Sequence, residues 1–264
     1  MNPYVVIDIG GTSIKYGLAD AKGQLLETHE MPTEAQKGGP HILNTTKEIV
    51  ARYLKKHPLA GVAISSAGMV DPDKGEIFYA GPQIPNYAGT QFKKEIEETF
   101  QIPCEIENDV NCAGLAEVTT GHAKGSNNAV CLTIGTGIGG CLLLDGQVFH
   151  GFSNSACEVG YLHLPDGAFQ DLASTTALVE YVAEHHGDPV EQWNGRRIFK
   201  QATEGDKICM AGIDRMVTYL AKDWPISFMW SIQRSSFLEG GLWPRKPSSS
   251  QKSIKPCVPN WFLA

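Results

Sequence analysis

No apolar run in this 264-residue chain approaches the roughly 20 residues that a membrane-spanning helix needs, so no membrane partner is expected. Net positive charge is also missing: 22 Lys and Arg stand against 29 Asp and Glu, a formal charge of -7. Nucleic-acid surfaces depend on clustered cations, so nucleic acid is not an expected partner. Small anions are still allowed, since backbone N–H groups and one lysine can hold them. The seven cysteines include no C-x-x-C pair and are odd in number, which argues for reduced thiols rather than a disulfide framework. Met1-Asn2-Pro3 runs directly into a strand, with no room for the charged and apolar regions of a signal peptide. A cytoplasmic location is the expectation. Hydrophobic residues at 42% and charged residues at 19% leave no long disordered stretch, and the length suits two domains.

What the chain does contain is a repeated glycine turn between apolar strands. The first runs from Val5 to Ala19 around Asp8-Ile9-Gly10-Gly11-Thr12, and the second from Ala129 to Leu144 around Gly135-Thr136-Gly137-Ile138-Gly139-Gly140. Each return strand is followed by a matching turn, Asp20-Ala21-Lys22-Gly23-Gln24 and Asp145-Gly146-Gln147. One unit used twice suits two lobes facing a shared cleft. Glycine turns expose N–H groups to phosphate oxygens, and Thr12, Thr136 and Lys15 add donors. A nucleotide between the lobes follows as the first expectation.

Periodicity predicts helices over Gly39 to Lys56, Gln91 to Phe100, Ser174 to His186, Gly195 to Glu204 and Asp206 to Lys222. Leu59 to Ser65 and Cys104 to Glu107 read as strands, and an Ala-rich segment spans Cys112 to Val118. Alternating strands and helices favour an α/β fold with mixed sheets. The lobes are expected at residues 1–115 and 116–223. From Trp224 the composition changes: residues 1–223 hold 17 basic and 28 acidic residues, whereas 224–264 hold five and one, with four of the five tryptophans.

Several polar residues stand where ligands bind such folds. Asp8 ends a buried strand beside the first turn; a carboxylate there repels phosphate unless a cation intervenes, so Mg²⁺ held through water is one reading and a turn cap the other. Asn108 and Asp109 follow a strand end and open a helix, where α/β folds place ligands and where helix caps also favour both residue types. Glu158 can accept hydrogen bonds from a polyhydroxylated ligand, while His163 reads as an ordinary core or surface histidine. The segments Ser65 to Asp71 and Pro82 to Asn86 are turns that fit either a pocket wall or plain loop chemistry.

Together these motifs resemble the ROK sugar kinases, within the actin-like and hexokinase-like ATPases of ribonuclease H-like fold. The resemblance spans about residues 4 to 222 and rests on Asp8-Ile9-Gly10-Gly11-Thr12-x-x-Lys15, Gly68-x-Val70-Asp71, Asn108-Asp109-x-Asn111 with Glu117, the second glycine turn, and Glu158-x-Gly160. It implies a two-lobed fold with an interlobe cleft and ATP-dependent phosphoryl transfer to a hexose hydroxyl, usually O6, with Mg²⁺. Asp109 aligns with the family's catalytic base. Gly68, Asn86, Asn108, Glu158, Tyr161 and Gln170 fall at or near sugar positions, while Asp8, Gly10, Gly11, Thr12, Lys15, Gly135, Thr136, Gly137 and Gly139 fall on the nucleotide side. Family members are often homodimers, and some are sugar-responsive regulators whose DNA-binding segment precedes the first glycine motif.

Three departures qualify the resemblance. Tyr161 stands where members often have His, and no cysteine lies between Cys157 and Cys209, so no structural zinc is expected. Gln170 stands in place of a sugar-binding Glu. The family's C-terminal glycine turn is matched only by Phe237-Leu238-Glu239-Gly240-Gly241-Leu242, and a frameshift near residues 221 to 226 is the expectation for this tail. A genuine tail would instead favour a sugar-binding protein without turnover.

Overall fold

A computed structural model of the protein describes residues 2–228 and 236–240. In the first lobe, β1 (Tyr4–Ile9) and β2 (Ser13–Ala19) enclose the first glycine turn, and β3 (Leu25–Pro32) continues the antiparallel run. Helix α1 (Gly39–Leu54) leads into β4 (Gly61–Ser66), then β5 (Met69–Asp71) and β6 (Glu76–Tyr79) form a small hairpin, and α2 (Phe92–Phe100) leads into β7 (Cys104–Asn108). The sheet order is β3-β2-β1-β4-β7, with β1, β4 and β7 parallel. Their register aligns Asp8 with Ser65 and Ser65 with Glu107, so three polar residues share one edge at the carboxyl ends of the strands. This is where open α/β sheets bind ligands.

Alternation in β1 buries Val5, Ile7 and Ile9 and leaves Asp8 on the other face. Helix α1 adds Ile42, Ile49 and Val50 to that core, and its proline falls in the first turn, where a missing N–H is harmless. Between β2 and β3 the backbones approach closely at Gly17, where an added Cβ would meet Glu27 O at 1.9 Å. Gly17→Ala should therefore destabilise the protein by about 1–3 kcal/mol, the usual range for overpacking. Urea unfolding measures it, and an unchanged midpoint would show that β3 shifts without cost.

Helix α3 (Asp109–Thr119) carries the chain onto the second lobe, where β8 (Ala129–Ile134) and β9 (Ile138–Leu144) enclose the second glycine turn and β10 (Gln147–Val148) extends the sheet. After a loop come the hairpin β11 (His163–Leu164) and β12 (Gly167–Ala168), then α4 (Phe169–Ala173), α5 (Thr175–His186), α6 (Gly195–Thr203), α7 (Lys207–Phe228) and β13 (Ser236–Gly240). Strand β13 lies parallel to β8, giving the order β10-β9-β8-β13. The sheet is covered on both faces: Cys131, Cys141 and Leu143 pack with Val110, Leu115 and Val118 of α3, while Leu132, Ile134 and Ile138 pack with Phe169, Leu178 and neighbours.

The fold is the expected α/β, two-lobed arrangement with mixed sheets flanked by helices. Helix ends differ from the periodic reading by a few residues. Helix α3 starts at Asp109, ahead of the Ala-rich stretch, because Asn108 caps it; α7 runs past Lys222 to Phe228. In the tail, residues 229–235 and Gly241 onward lie outside the described residues. Among the described residues, no helix is long and apolar enough to cross a membrane.

Candidate active site

The lobes face each other across an open cleft of about 2170 Å³. That exceeds the ~300–1,000 Å³ of a pocket for one small ligand, leaving room for two side by side. Asp8, Gly10, Lys15, Gly68, Asn108, Asp109, Gly135, Thr136, Gly137, Gly139, Glu158, Tyr161 and Gln170 all line it. Of the residues that the resemblance places on the sugar or nucleotide side, Gly11, Thr12 and Asn86 do not. Gly11 and Thr12 form the exposed tip of the first turn. Asn86 adopts a left-handed backbone, φ 54°, and stays exposed, while the next residue, Tyr87, is buried with its hydroxyl 2.7 Å from Ser66 Oγ.

The two glycine turns are partly self-satisfied. Gly10 N–H donates to Ser13 C=O at 3.0 Å, and Gly135 N–H donates to Gly137 C=O at 2.9 Å. No backbone bond among the described residues engages the N–H groups of Gly11, Thr12 or Thr136, which are the donors left for an anion. Close packing fixes the second turn: a Cβ on Gly139 would lie 2.4 Å from Val110 Cγ2, and one on Gly137 would lie 2.9 Å from Gln170 Oε1. Strand β13 ends with Gly240 in register with Ile134, so the tail brings a glycine alongside this turn.

Both Asn108 and Asp109 bond the start of α3. Asn108 is the helix cap: its Oδ1 accepts from Val110 N–H and Asn111 N–H at 2.9 and 3.1 Å. Its Nδ2 donates to Gly68 C=O at 2.9 Å and to Asp109 Oδ1 at 3.0 Å. Asp109, the first residue of the helix, also accepts Val110 N–H on Oδ1 at 2.9 Å, and it lines the cleft. It is open to solvent at the cleft mouth, yet protein crowds the carboxyl on its other sides. That crowding chiefly, and the negative charge of Asp8 secondarily, raise its pKa against the lowering effect of the Val110 and Asn108 hydrogen bonds. Glu158 is raised in the same way, by burial and then by Asp109. On the same strand-end edge as Asp109, Asp8 accepts from Ser65 Oγ at 2.9 Å and lies 3.9 Å from Lys15 Nζ.

Some residues of the resemblance serve structure instead. Asp71 is buried, takes N–H of Lys74 at 3.1 Å and pairs with Lys74 Nζ at 2.9 Å, closing the β5–β6 hairpin; those contacts lower its pKa. His163 is exposed, as an ordinary surface histidine. Others in or beside the site escaped notice in the sequence: Tyr87, the Glu107–His150 pair at 2.6 Å, and Arg196 and Lys200, which α6 presents to the cleft one turn apart. Only the last had a signal, an i, i+4 cationic pair opposite buried Ile198. Away from the cleft, His186, Asp206 and Cys209 bring ligand atoms within 4.8 Å of one another. Asp206 Oδ1 there is taken by N–H of Ile208 and Cys209, both at 2.9 Å, so the carboxylate caps α7.

Residues 4–228 match the model of the ROK family. The chain belongs to the ROK family. Among its relatives, an uncharacterized protein of Clostridium perfringens is 48% identical over 221 residues, 84% of this chain and 75% of its own length. A beta-glucoside kinase of Klebsiella pneumoniae is 34% identical over 211 residues, 76% of this chain and 69% of its own. The solved ROK glucokinase of Streptomyces griseus, in complex with glucose and AMPPNP, matches with a TM-score of 0.76 at 25% identity, covering 91% of this chain and 83% of that one.

Proposed function

We propose that this ROK protein is an ATP-dependent carbohydrate kinase that phosphorylates a hydroxyl, O6, of a hexose or hexose derivative, with Asp109 as base. One observation carries the proposal: Asp109 stands at the first turn of α3, in a two-ligand cleft between both glycine turns, beside a second carboxylate, Glu158. Named kinases among its relatives support it. In the reaction, Asp109 takes the proton of the sugar hydroxyl as that oxygen bonds to the γ-phosphorus. The bond from phosphorus to the bridging oxygen breaks, and ADP leaves. Positioning and charge stabilisation supply most of such catalysis.

Glu158, Gly68, Tyr161 and Gln170 are assigned to the sugar side, and Asn108, whose amide is taken up by Gly68, Asp109 and the start of α3, is assigned to holding that side in place. Lys15, the N–H groups of Gly11, Thr12 and Thr136, and the second turn are assigned to the phosphates. Asp8 suits Mg²⁺, since a half-exposed carboxylate with room for water is the donor set that ion prefers. When bound, Mg²⁺ would neutralise phosphate charge. Incubation with ATP, Mg²⁺ and a sugar panel tests the proposal, with phosphorus NMR identifying the esterified oxygen. ADP release that is indifferent to every sugar would remove it.

Asp109 must be ionised to act as base, and its pKa is raised. Activity should therefore decline on the acid side at a pH above the ~3.9 of an ordinary aspartate. A kcat/KM profile flat down to pH 4 would contradict this.

The frameshift near residues 221–226 belongs to the same proposal. It is supported by the change of composition at Trp224 and by a family match that stops at 228. Sequencing the coding DNA decides it: a family-like C-terminus in a neighbouring frame is the expected finding. Should the tail be genuine, sugar binding without ADP release is the alternative outcome.

A further inference from the structure

Glu107 and His150 take no part in the chemistry above, yet they tie together the segments that carry it. Glu107 is the penultimate residue of β7, and its side chain is 17% exposed. Its Oε1 accepts from Asn108 N–H at 2.7 Å and from Asn111 Nδ2 at 3.0 Å. Its Oε2 meets His150 Nε2 at 2.6 Å, and Nε2 is the donor because an ionised carboxylate only accepts. His150 comes from the other lobe, just after β10, and its C=O accepts Ala156 N–H at 3.1 Å. That bond closes a loop in which Asn154 holds a left-handed backbone, φ 54°, and Cys157, left-handed at φ 65°, follows it immediately before Glu158. Asn takes such a conformation readily, whereas Cys keeps it only when its surroundings enforce it.

We infer that Glu107 and His150 form a positioning clasp across the lobes, which fixes the start of α3, and so Asp109, relative to the loop that presents Glu158 to the sugar. Its catalytic consequence rests on the sugar-kinase reading; its structural consequence does not. Charge-assisted hydrogen bonds that are largely shielded from water are among the stronger ones, and this pair joins elements 43 residues apart. The clasp explains why Asn108 is so fully committed: Glu107 holds its N–H, and its own amide then holds Gly68 and Asp109.

The test uses the full chain carrying His150→Ala, His150→Gln, Glu107→Ala and the double alanine variant. Hydrogen exchange is read first, because it needs no substrate. His150→Ala should raise exchange about tenfold both in residues 151–158 and at Val110 and Asn111 on α3, while the β1–β2 turn stays unchanged. His150→Gln, which can still donate to Glu107, should restore protection. The double variant should lose no more than Glu107→Ala alone, since the bond is already gone. With sugar and ATP, His150→Ala should raise the sugar KM about tenfold and leave the ATP KM unaltered. An undisturbed α3 in His150→Ala, losses that add in the double variant, or failure of His150→Gln to rescue would each overturn the clasp. A wild type that turns over no sugar overturns the kinase reading instead, and the exchange data still decide the clasp.

Discussion

Asp109→Asn should reduce kcat for sugar phosphorylation by about 10²–10⁴-fold, the usual contribution of a positioned general base. Sugar affinity should persist. The substitution keeps the size of the side chain and its place at the first turn of α3, where Asn108 and not Asp109 carries the cap. What it removes is the ability to take a proton. It should also stabilise the ligand-free protein at neutral pH. A carboxyl whose pKa is raised by folding stabilises the fold when protonated, below its unfolded pKa, and loses that contribution as pH rises through the folded value. Asn carries no such burden at neutral pH, so the gain in Tm should be present at pH 7 and shrink toward pH 4, where the wild-type carboxyl is itself becoming neutral. Loss of activity without this pattern would point to a misfolded variant, and retained activity would take the base role from Asp109.

Gly160→Ala should raise the sugar KM about 10²-fold. A Cβ at Gly160 would lie 2.2 Å from the backbone oxygen of Ile138 and 3.1 Å from Gln170 Oε1. Gln170 can swing aside, but Ile138 opens β9 directly after the second glycine turn and is buried. The segment carrying Glu158 and Tyr161 must move instead, and displacement of about 1 Å costs on the order of 10²-fold in a site that works by positioning. Isothermal titration with the productive sugar gives the loss of affinity, and a melting curve shows whether the fold survives. A normal KM would mean that Glu158 is not held by this contact.

The two glycine hairpins, the parallel strand ends and the acids beside them were legible because each is an unusual residue type at a place where the chain must turn. Helices α1 and α5 were legible because their apolar residues repeat at helical spacing. Strand β3 was not: Leu25 and Leu26 are 63% and 60% exposed, and nearly all its residues face solvent, so it has no buried alternation to read. Choices among partners were not legible either. Whether Asn108 or Asp109 caps α3, and whether Asn86 or Tyr87 turns inward, depends on backbone angles and on distances between distant segments. His150 finds Glu107 only through the meeting of the lobes, and a lone histidine in a loop gives no warning of it.

Strand β8 is apolar nearly throughout, Ala129-Val130-Cys131-Leu132-Thr133-Ile134, and among the described residues one of its long edges is paired only by β13, more than 100 residues later in synthesis. Until that segment leaves the ribosome, the nascent chain presents a row of unpaired amides flanked by aliphatic side chains. Such an edge is a template for another strand. A polypeptide that stopped at residue 228 would keep this exposure permanently and should self-associate, however well its cleft were formed.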